Sequence, residues 1–153
     1  MDINDRNIEA VLEQNGEVIS STSGVSMYPM LRHRKDMVVI KKAEHPLKKH
    51  DVVVYRMPSG KLLLHRVIKV RDDCYVIRGD NRLNKEYIKP EWIFGVLKEF
   101  YRKGKKCDCE TSRSYKAYIV FMRLTFPFRV VWHIGKRAFF KIKRIVFGKF
   151  KKK

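Results

Sequence analysis

Apolar positions recur through the first hundred residues in short runs, some alternating with polar positions and some continuous, separated by turn residues. Ile8, Val11 and Leu12 stand at helical spacing within residues 5–14, with Asp5 placed as an N-cap and Gly16 at the end. A short amphipathic helix is expected there. Residues 17–22 read as a strand leading into a loop rich in Ser, Thr and Gly. Further strands are expected at 36–41, 51–57, 61–70, 74–78 and 92–101. Pro58-Ser59-Gly60 and Arg71-Asp72-Asp73 supply two of the turns, and His45-Pro46 begins another connection. Short strands with hairpin-length gaps argue for antiparallel pairing rather than βαβ units. The fold class expected is therefore mainly β, an antiparallel β-domain with a short N-terminal helix and a helical C-terminal tail.

The pattern changes after residue 102. Residues 103–114 are polar and without periodicity, which reads as a linker; from 115 to 153 apolar clusters alternate with single basic residues. The expected organisation is an N-terminal helix at 1–16, a β-domain at 17–102, a polar linker at 103–114 and a basic amphipathic tail at 115–153. Charge sharpens that division. The chain carries 35 Lys and Arg against 16 Asp and Glu, a formal +19, yet no acidic residue follows Glu110 while 13 basic ones do. So lopsided a distribution calls for an anionic partner, phospholipid or nucleic acid.

On a helical wheel Phe128, Trp132, Gly135, Phe139, Ile142, Val146 and Phe150 share one stripe, with His133, Arg137, Lys141 and Arg144 broadly opposite. A membrane span needs about twenty largely apolar residues, and Ala117–Ile134 is interrupted by Arg123, Pro127, Arg129 and His133. An aromatic stripe with a basic back is the pattern of a helix lying in a membrane interface. Binding to an anionic membrane surface ranks first, packing against the β-domain or a partner helix second, and nucleic acid last. The acidic N-terminus, Met1-Asp2-Ile3-Asn4-Asp5, has no apolar signal-peptide core. Cys74, Cys107 and Cys109 have no disulfide-framework spacing, and Cys107-x-Cys109 has no second pair or nearby histidine to complete a metal site. A peripheral location on the cytoplasmic face, with no metal or organic cofactor, is the expectation.

The chemistry-bearing stretch is Ser23-Gly24-Val25-Ser26-Met27-Tyr28-Pro29-Met30-Leu31. Gly24 can adopt the φ > 0 of a tight turn and Pro29 fixes the exit, so the Ser26 hydroxyl can be presented by a loop. A serine becomes a nucleophile when a neighbour removes its proton. His65 supplies such a base and lies on the same strand face as Leu63 and Val67 by two-residue alternation. Asp80, in Gly79-Asp80-Asn81, is the candidate third member, accepting the other imidazole N–H. Glu86 is its substitute should Asp80 prove structural, and Arg66 is a candidate ion-pair partner. His33, His45, His50 and His133 sit among basic residues or turn signals and are read as solvated.

Four of these stretches in this order resemble the boxes of the signal peptidase I family: Ser26-Met27-x-Pro29, Asp51-Val52-Val53-Val54-Tyr55, His65-Arg66-Val67-Ile68 and Gly79-Asp80-Asn81. The histidine resembles the endoplasmic-reticulum-type branch, in which histidine replaces the lysine base. Ser23-Gly24-x-Ser26-Met27 is also similar to the self-cleaving repressors of the same serine peptidase clan. The resemblance covers residues 18–97. It implies a β-rich catalytic domain, a peptide or precursor-protein substrate, and a Ser26/His65 dyad completed by Asp80. A non-catalytic or self-cleaving regulatory protein on the same fold is the alternative. The chain departs from the pattern at Gly24, where the family often has serine, and at Met30, where serine or threonine commonly follows the proline. Lys85-Glu86 stands where a second aspartate is usual, and no transmembrane helix precedes the serine.

Overall fold

The computed structural model describes residues 2–3, 8–132, 134–136 and 139. Two compact units divide between Lys116 and Ala117. The first is an antiparallel sheet curled into a half-barrel. Its strands are β1 (Asp2–Ile3), β2 (Glu17–Ser23), β3 (Met37–Lys42), β4 (Val52–Arg56), β5 (Leu62–Val70), β6 (Tyr75–Arg78), β7 (Glu86–Ile88), β8 (Ile93–Arg102) and β9 (Lys105–Asp108). They lie in the order β1-β2-β3-β8-β4-β5-β6-β7, with β9 joined to β8. Helix α1 (Ile8–Asn15) buries Ile8 and Leu12. It ends where Gly16, at φ 72°, donates its N–H to the Leu12 carbonyl, the left-handed exit that glycine makes without a Cβ penalty. Asp5, the expected N-cap, lies outside the described residues.

Strand β8 joins the halves of the sheet. Its first half lies between β3 and β4, and its second half between β3 and β9. The expected linker at 103–114 is corrected here. Arg102 pairs with Lys105 across Lys103 and Gly104, at φ 51° and 74°, two left-handed residues that make a hairpin turn matching strand twist. The turn returns the polar run Lys105–Asp108 along β8, whose backbone would otherwise have no partner on that side beyond β4. Helix α2 (Arg113–Leu124) follows, and Tyr115 in its first turn is buried with the first unit.

The core follows from strand alternation. Val53, Tyr55, Leu63, Val67, Tyr75, Ile77, Ile88 and Val96 form one buried cluster. His65 lies across from Val53 in the β4–β5 ladder, and Tyr55 lies across from Leu63. His65 and Tyr55 are therefore diagonal neighbours on one face, within reach of long side chains. On β7, Glu86 lies across from Ile77, which itself lies across from Val67 on β5. The register thus carries a carboxylate from a distant strand to the face that holds the histidine.

The second unit contains the rest of α2, a break at Thr125 and a helical stretch at 126–132. Pro127 explains the break, since it has no N–H to donate and its ring clashes with a preceding turn. Val120, Phe121, Leu124, Phe128, Val131, Trp132, Ile134 and Phe139 are exposed, and Lys136 Nζ lies 5.2 Å from the centroid of the Trp132 ring. No described helix is long and apolar enough to cross a membrane. Within the expected stripe and its basic back, His133, Arg137, Lys141, Ile142, Arg144, Val146 and Phe150 lie outside the described residues.

Candidate active site

The loop that follows β2 is built to hold one hydroxyl in place. Gly24 takes φ 90° and donates its N–H to His33 Nδ1 at 2.8 Å, so exposed His33 has a bond in the loop rather than water alone. Arg34 N–H bonds the Thr22 carbonyl, and Leu31 N–H bonds the Met27 carbonyl. Met27, Met30 and Leu31 are buried beneath the loop, whereas Val25 and Tyr28 face solvent on either side of Ser26. Buried Asp36 anchors the exit by accepting from Arg32, both at the backbone N–H and at the guanidinium. Burial on its own would raise the Asp36 carboxyl, but the bonds from Arg32 outweigh it and hold it below its usual range.

Ser26 and His65, 39 residues apart in the chain, meet at this site. Ser26 Oγ and His65 Nε2 are 3.1 Å apart, a hydrogen bond along which a proton can pass. The two residues are only 2% and 5% exposed, so the pair is shielded from water. On its far side the imidazole Nδ1 lies 2.8 Å from the Tyr55 hydroxyl and 3.4 Å from Glu86 Oε2. Tyr55 donates a short hydrogen bond to Glu86, and its ring is tilted 52° to the imidazole. Interaction with His65 first, and hydrogen bonding to Tyr55 after it, hold the Glu86 carboxyl below its usual range against partial burial. Burial, reinforced by the Glu86 carboxylate, pushes the Tyr55 phenol far above its usual value.

Asp80 does not serve as expected. Both of its carboxylate oxygens accept from Arg66, at 2.8 Å from Nε and from Nη2. The reason is strand alternation: His65 and Arg66 are adjacent on β5 and point to opposite faces, and Asp80 lies on the Arg66 side. Arg66 also donates to Tyr115 Oη at 2.8 Å and to the His50 carbonyl at 3.0 Å, so α2 and the β3–β4 connection share the same anchor. Burial alone would lower Arg66, but the Asp80 carboxylate reverses this and keeps the guanidinium firmly charged. A bidentate, fully hydrogen-bonded pair of this kind can offset its desolvation.

The Gly-Asp-Asn stretch instead positions the serine. Asn81 donates its backbone N–H to the Ser26 carbonyl at 2.7 Å and its side-chain amide to the Val25 carbonyl at 3.2 Å. Gly79 packs so closely that a Cβ there would stand 2.8 Å from the Ser26 carbonyl oxygen and 3.1 Å from His65 Cδ2. The site thus contains Ser26, His65 and Glu86, with Tyr55 inserted where no residue was expected. The available signal for Tyr55 was its place in a strand buried on both faces, since a buried phenol needs a polar partner.

Strand β1 adds a further element. Asp2 and Ile3 pair antiparallel with Ser23 and Thr22, immediately before the serine loop, and β1 also lies alongside β5. Thr22 Oγ1 beside it is buried and has no hydrogen-bond partner. Among the described residues, no cluster of three His, Cys, Asp or Glu side chains is arranged to hold a metal ion. The three cysteines are free thiols, and burial raises the Cys109 thiol to about 12. Comparison of the chain with protein-family models, with curated proteins and with solved structures gives no match.

Proposed function

We propose that this protein is a serine endopeptidase of the signal peptidase type, cleaving a peptide or a membrane-associated precursor. The observation that carries the reading is the 3.1 Å contact between Ser26 Oγ and His65 Nε2, formed in a buried site by a loop and a strand distant in sequence. The order of the four boxes that resemble signal peptidases supports it. His65 takes the Ser26 proton as the hydroxyl attacks the peptide carbonyl, then gives it to the leaving amine; water hydrolyses the acyl-enzyme. Glu86, 3.4 Å from Nδ1, offsets the charge of the imidazolium formed in between. Backbone N–H groups around Ser26 are the donors for the oxyanion in this scheme, since Gly24 offers no hydroxyl.

The test is labelling by a serine-reactive fluorophosphonate together with turnover of a peptide library. Labelling and cleavage should both disappear in Ser26→Ala. Cleavage should fall steeply in His65→Ala, with the double variant scarcely worse than either single one, because the two residues act as a unit. Full cleavage by His65→Ala would end the proposal. A self-cleaving or non-catalytic regulatory protein is the second reading, favoured by the 2% exposure of Ser26 and by β1 lying against the strand that leads to it. Intact-mass measurement of freshly made protein separates these: loss of a defined fragment in the native chain but not in Ser26→Ala identifies self-cleavage.

The second unit provides a membrane anchor in this proposal. Its support is the row of exposed apolar side chains, among them Phe128, Trp132 and Phe139, in a unit with 11 basic and no acidic residues. Apolar insertion and attraction to anionic headgroups act together in such a segment, each basic residue near the surface adding about 1 kcal/mol. The protein should co-sediment with phosphatidylserine-containing vesicles and be released by salt. Replacing Phe128, Trp132 and Phe139 by serine should weaken binding even at low salt. Binding indifferent to both lipid charge and this substitution would exclude the anchor.

A further inference from the structure

One phenol carries one proton, and that limits how Tyr55, His65 and Glu86 can be bonded. The Tyr55 side chain is fully buried, and its oxygen lies within hydrogen-bond distance of both His65 Nδ1 and Glu86 Oε2. Glu86 is ionised at neutral pH and acts only as an acceptor, so the phenol proton belongs on the Tyr55–Glu86 bond. The lone pairs left on the Tyr55 oxygen can then only accept. The partner they face is His65 Nδ1 at 2.8 Å, which must supply the proton of that second bond. A neutral imidazole protonated at Nδ1 has its lone pair on Nε2, the nitrogen 3.1 Å from Ser26 Oγ.

We propose that Tyr55 is a positioning residue that fixes His65 as the Nδ1–H tautomer, with Glu86 acting on the histidine largely through the phenol. This rests on the reading of Ser26 and His65 as a peptidase pair. The chain of bonds runs Glu86 carboxylate, Tyr55 hydroxyl, His65 Nδ1–H, His65 Nε2, Ser26 hydroxyl, and each proton has one donor and one acceptor. Without the phenol oxygen, Glu86 at 3.4 Å is left as the acceptor for Nδ1–H, beyond the usual range for such a bond. The imidazole is then free to populate the other tautomer, whose Nε2–H cannot accept the serine proton. Three features of the fold keep the oxygen in place. Tyr55 lies diagonal to His65 across the β4–β5 ladder, its ring is packed in the core cluster, and its carboxylate partner is on β7.

The experiment combines imidazole nitrogen NMR with kinetics on the full chain. Ring-nitrogen shifts of His65, assigned by comparison with His65→Gln and read at a pH where the imidazole is neutral, should show a protonated Nδ1 and an unprotonated Nε2 in the native protein. Tyr55→Phe keeps the ring and removes only the oxygen; its His65 signals should shift toward a mixture of tautomers while thermal unfolding stays cooperative. Peptide turnover in this variant should show kcat lower by roughly 10- to 100-fold with little change in KM, part of the ~10²–10⁴-fold that a positioned base contributes. Tyr55→Phe combined with Glu86→Gln should leave the tautomers as mixed as in free imidazole, and it covers the case in which Glu86 moves in to replace the phenol. An Nε2–H tautomer in the native protein, or native signals retained in the double variant, would overturn the proposal. Loss of the peptidase reading shows differently: no Ser26-dependent labelling or turnover, with the tautomer result still readable.

Discussion

Two carboxylates near Ser26 have different physical tasks. Asp80 is held by a fully buried guanidinium that also serves Tyr115 and the His50 carbonyl. Its effect on the serine is mechanical, since Asn81 on one side of it holds the Ser26 and Val25 carbonyls and Gly79 on the other packs closely against the Ser26 carbonyl. Glu86 is only partly buried and is coupled to the imidazole directly and through Tyr55. Mutation should therefore separate them. Arg66→Ala leaves Asp80 as an uncompensated buried charge, and the expected loss of stability is about 3–5 kcal/mol by urea unfolding. Glu86→Gln should cost far less stability and lower turnover instead. A destabilisation by Arg66→Ala of under about 1 kcal/mol would mean that the pair is solvated, as exposed pairs are.

At the scale of elements, strands from opposite ends of the sheet order approach the same site around Ser26 and His65. β1 pairs with β2 at Thr22 and Ser23 and lies beside β5, which carries His65. An extended substrate reaching Ser26 along that edge of β2 would have to take the backbone partners that β1 now holds. Removing residues 1–7, so that the chain begins at α1, should speed fluorophosphonate labelling of Ser26 and peptide turnover, with unfolding still cooperative. Equal or slower labelling in the shortened chain would show that β1 does not restrict the site. The other end of the first unit behaves differently. Tyr115 belongs structurally to the body through its bond to Arg66, so the beginning of α2 is not dispensable tail.

For the molecule as a whole, several buried groups are held in their neutral forms. Burial raises the Tyr55 and Tyr115 phenols, and it raises the Cys109 thiol to about 12. A raised value means that the folded state keeps a proton that the unfolded chain releases. Stability is complete below the ordinary phenol and thiol values and declines as pH rises past them. Melting temperature should therefore fall progressively from about pH 9 upward, where free thiols and then phenols ionise. Tyr115→Phe should make the fall shallower, although it removes a bond to Arg66. The opposite sign holds for Glu86: its lowered value adds stability above the usual carboxylate range, and this is lost as pH falls through it.

Periodicity and turn chemistry determined much of this fold before any tertiary contact is considered. Alternation in residues 61–70 predicts a strand with His65 on the face of Leu63 and Val67, and the structure has β5 at Leu62–Val70 in that arrangement. Gly24 with Pro29 predicts a serine-bearing loop, and the apolar Met27, Met30 and Leu31 bury beneath it. These are local properties, set by steric limits on φ and by side-chain period. β7 and β9 had no such signal. Glu86-Tyr87-Ile88 is three residues long and Lys105–Asp108 is polar, so each forms because a neighbouring strand offers an unpaired edge. The same limit applies to the site. Whether Asp80 or Glu86 reaches His65 depends on where a loop and a strand fall relative to the faces of β5. That is decided by the order β4-β5-β6-β7 and its register, which bring Tyr55 and Glu86 together across 31 residues. Sequence spacing carries no information about which strand edge is vacant, and only the folded sheet turns a tyrosine that reads as core into the partner of His65.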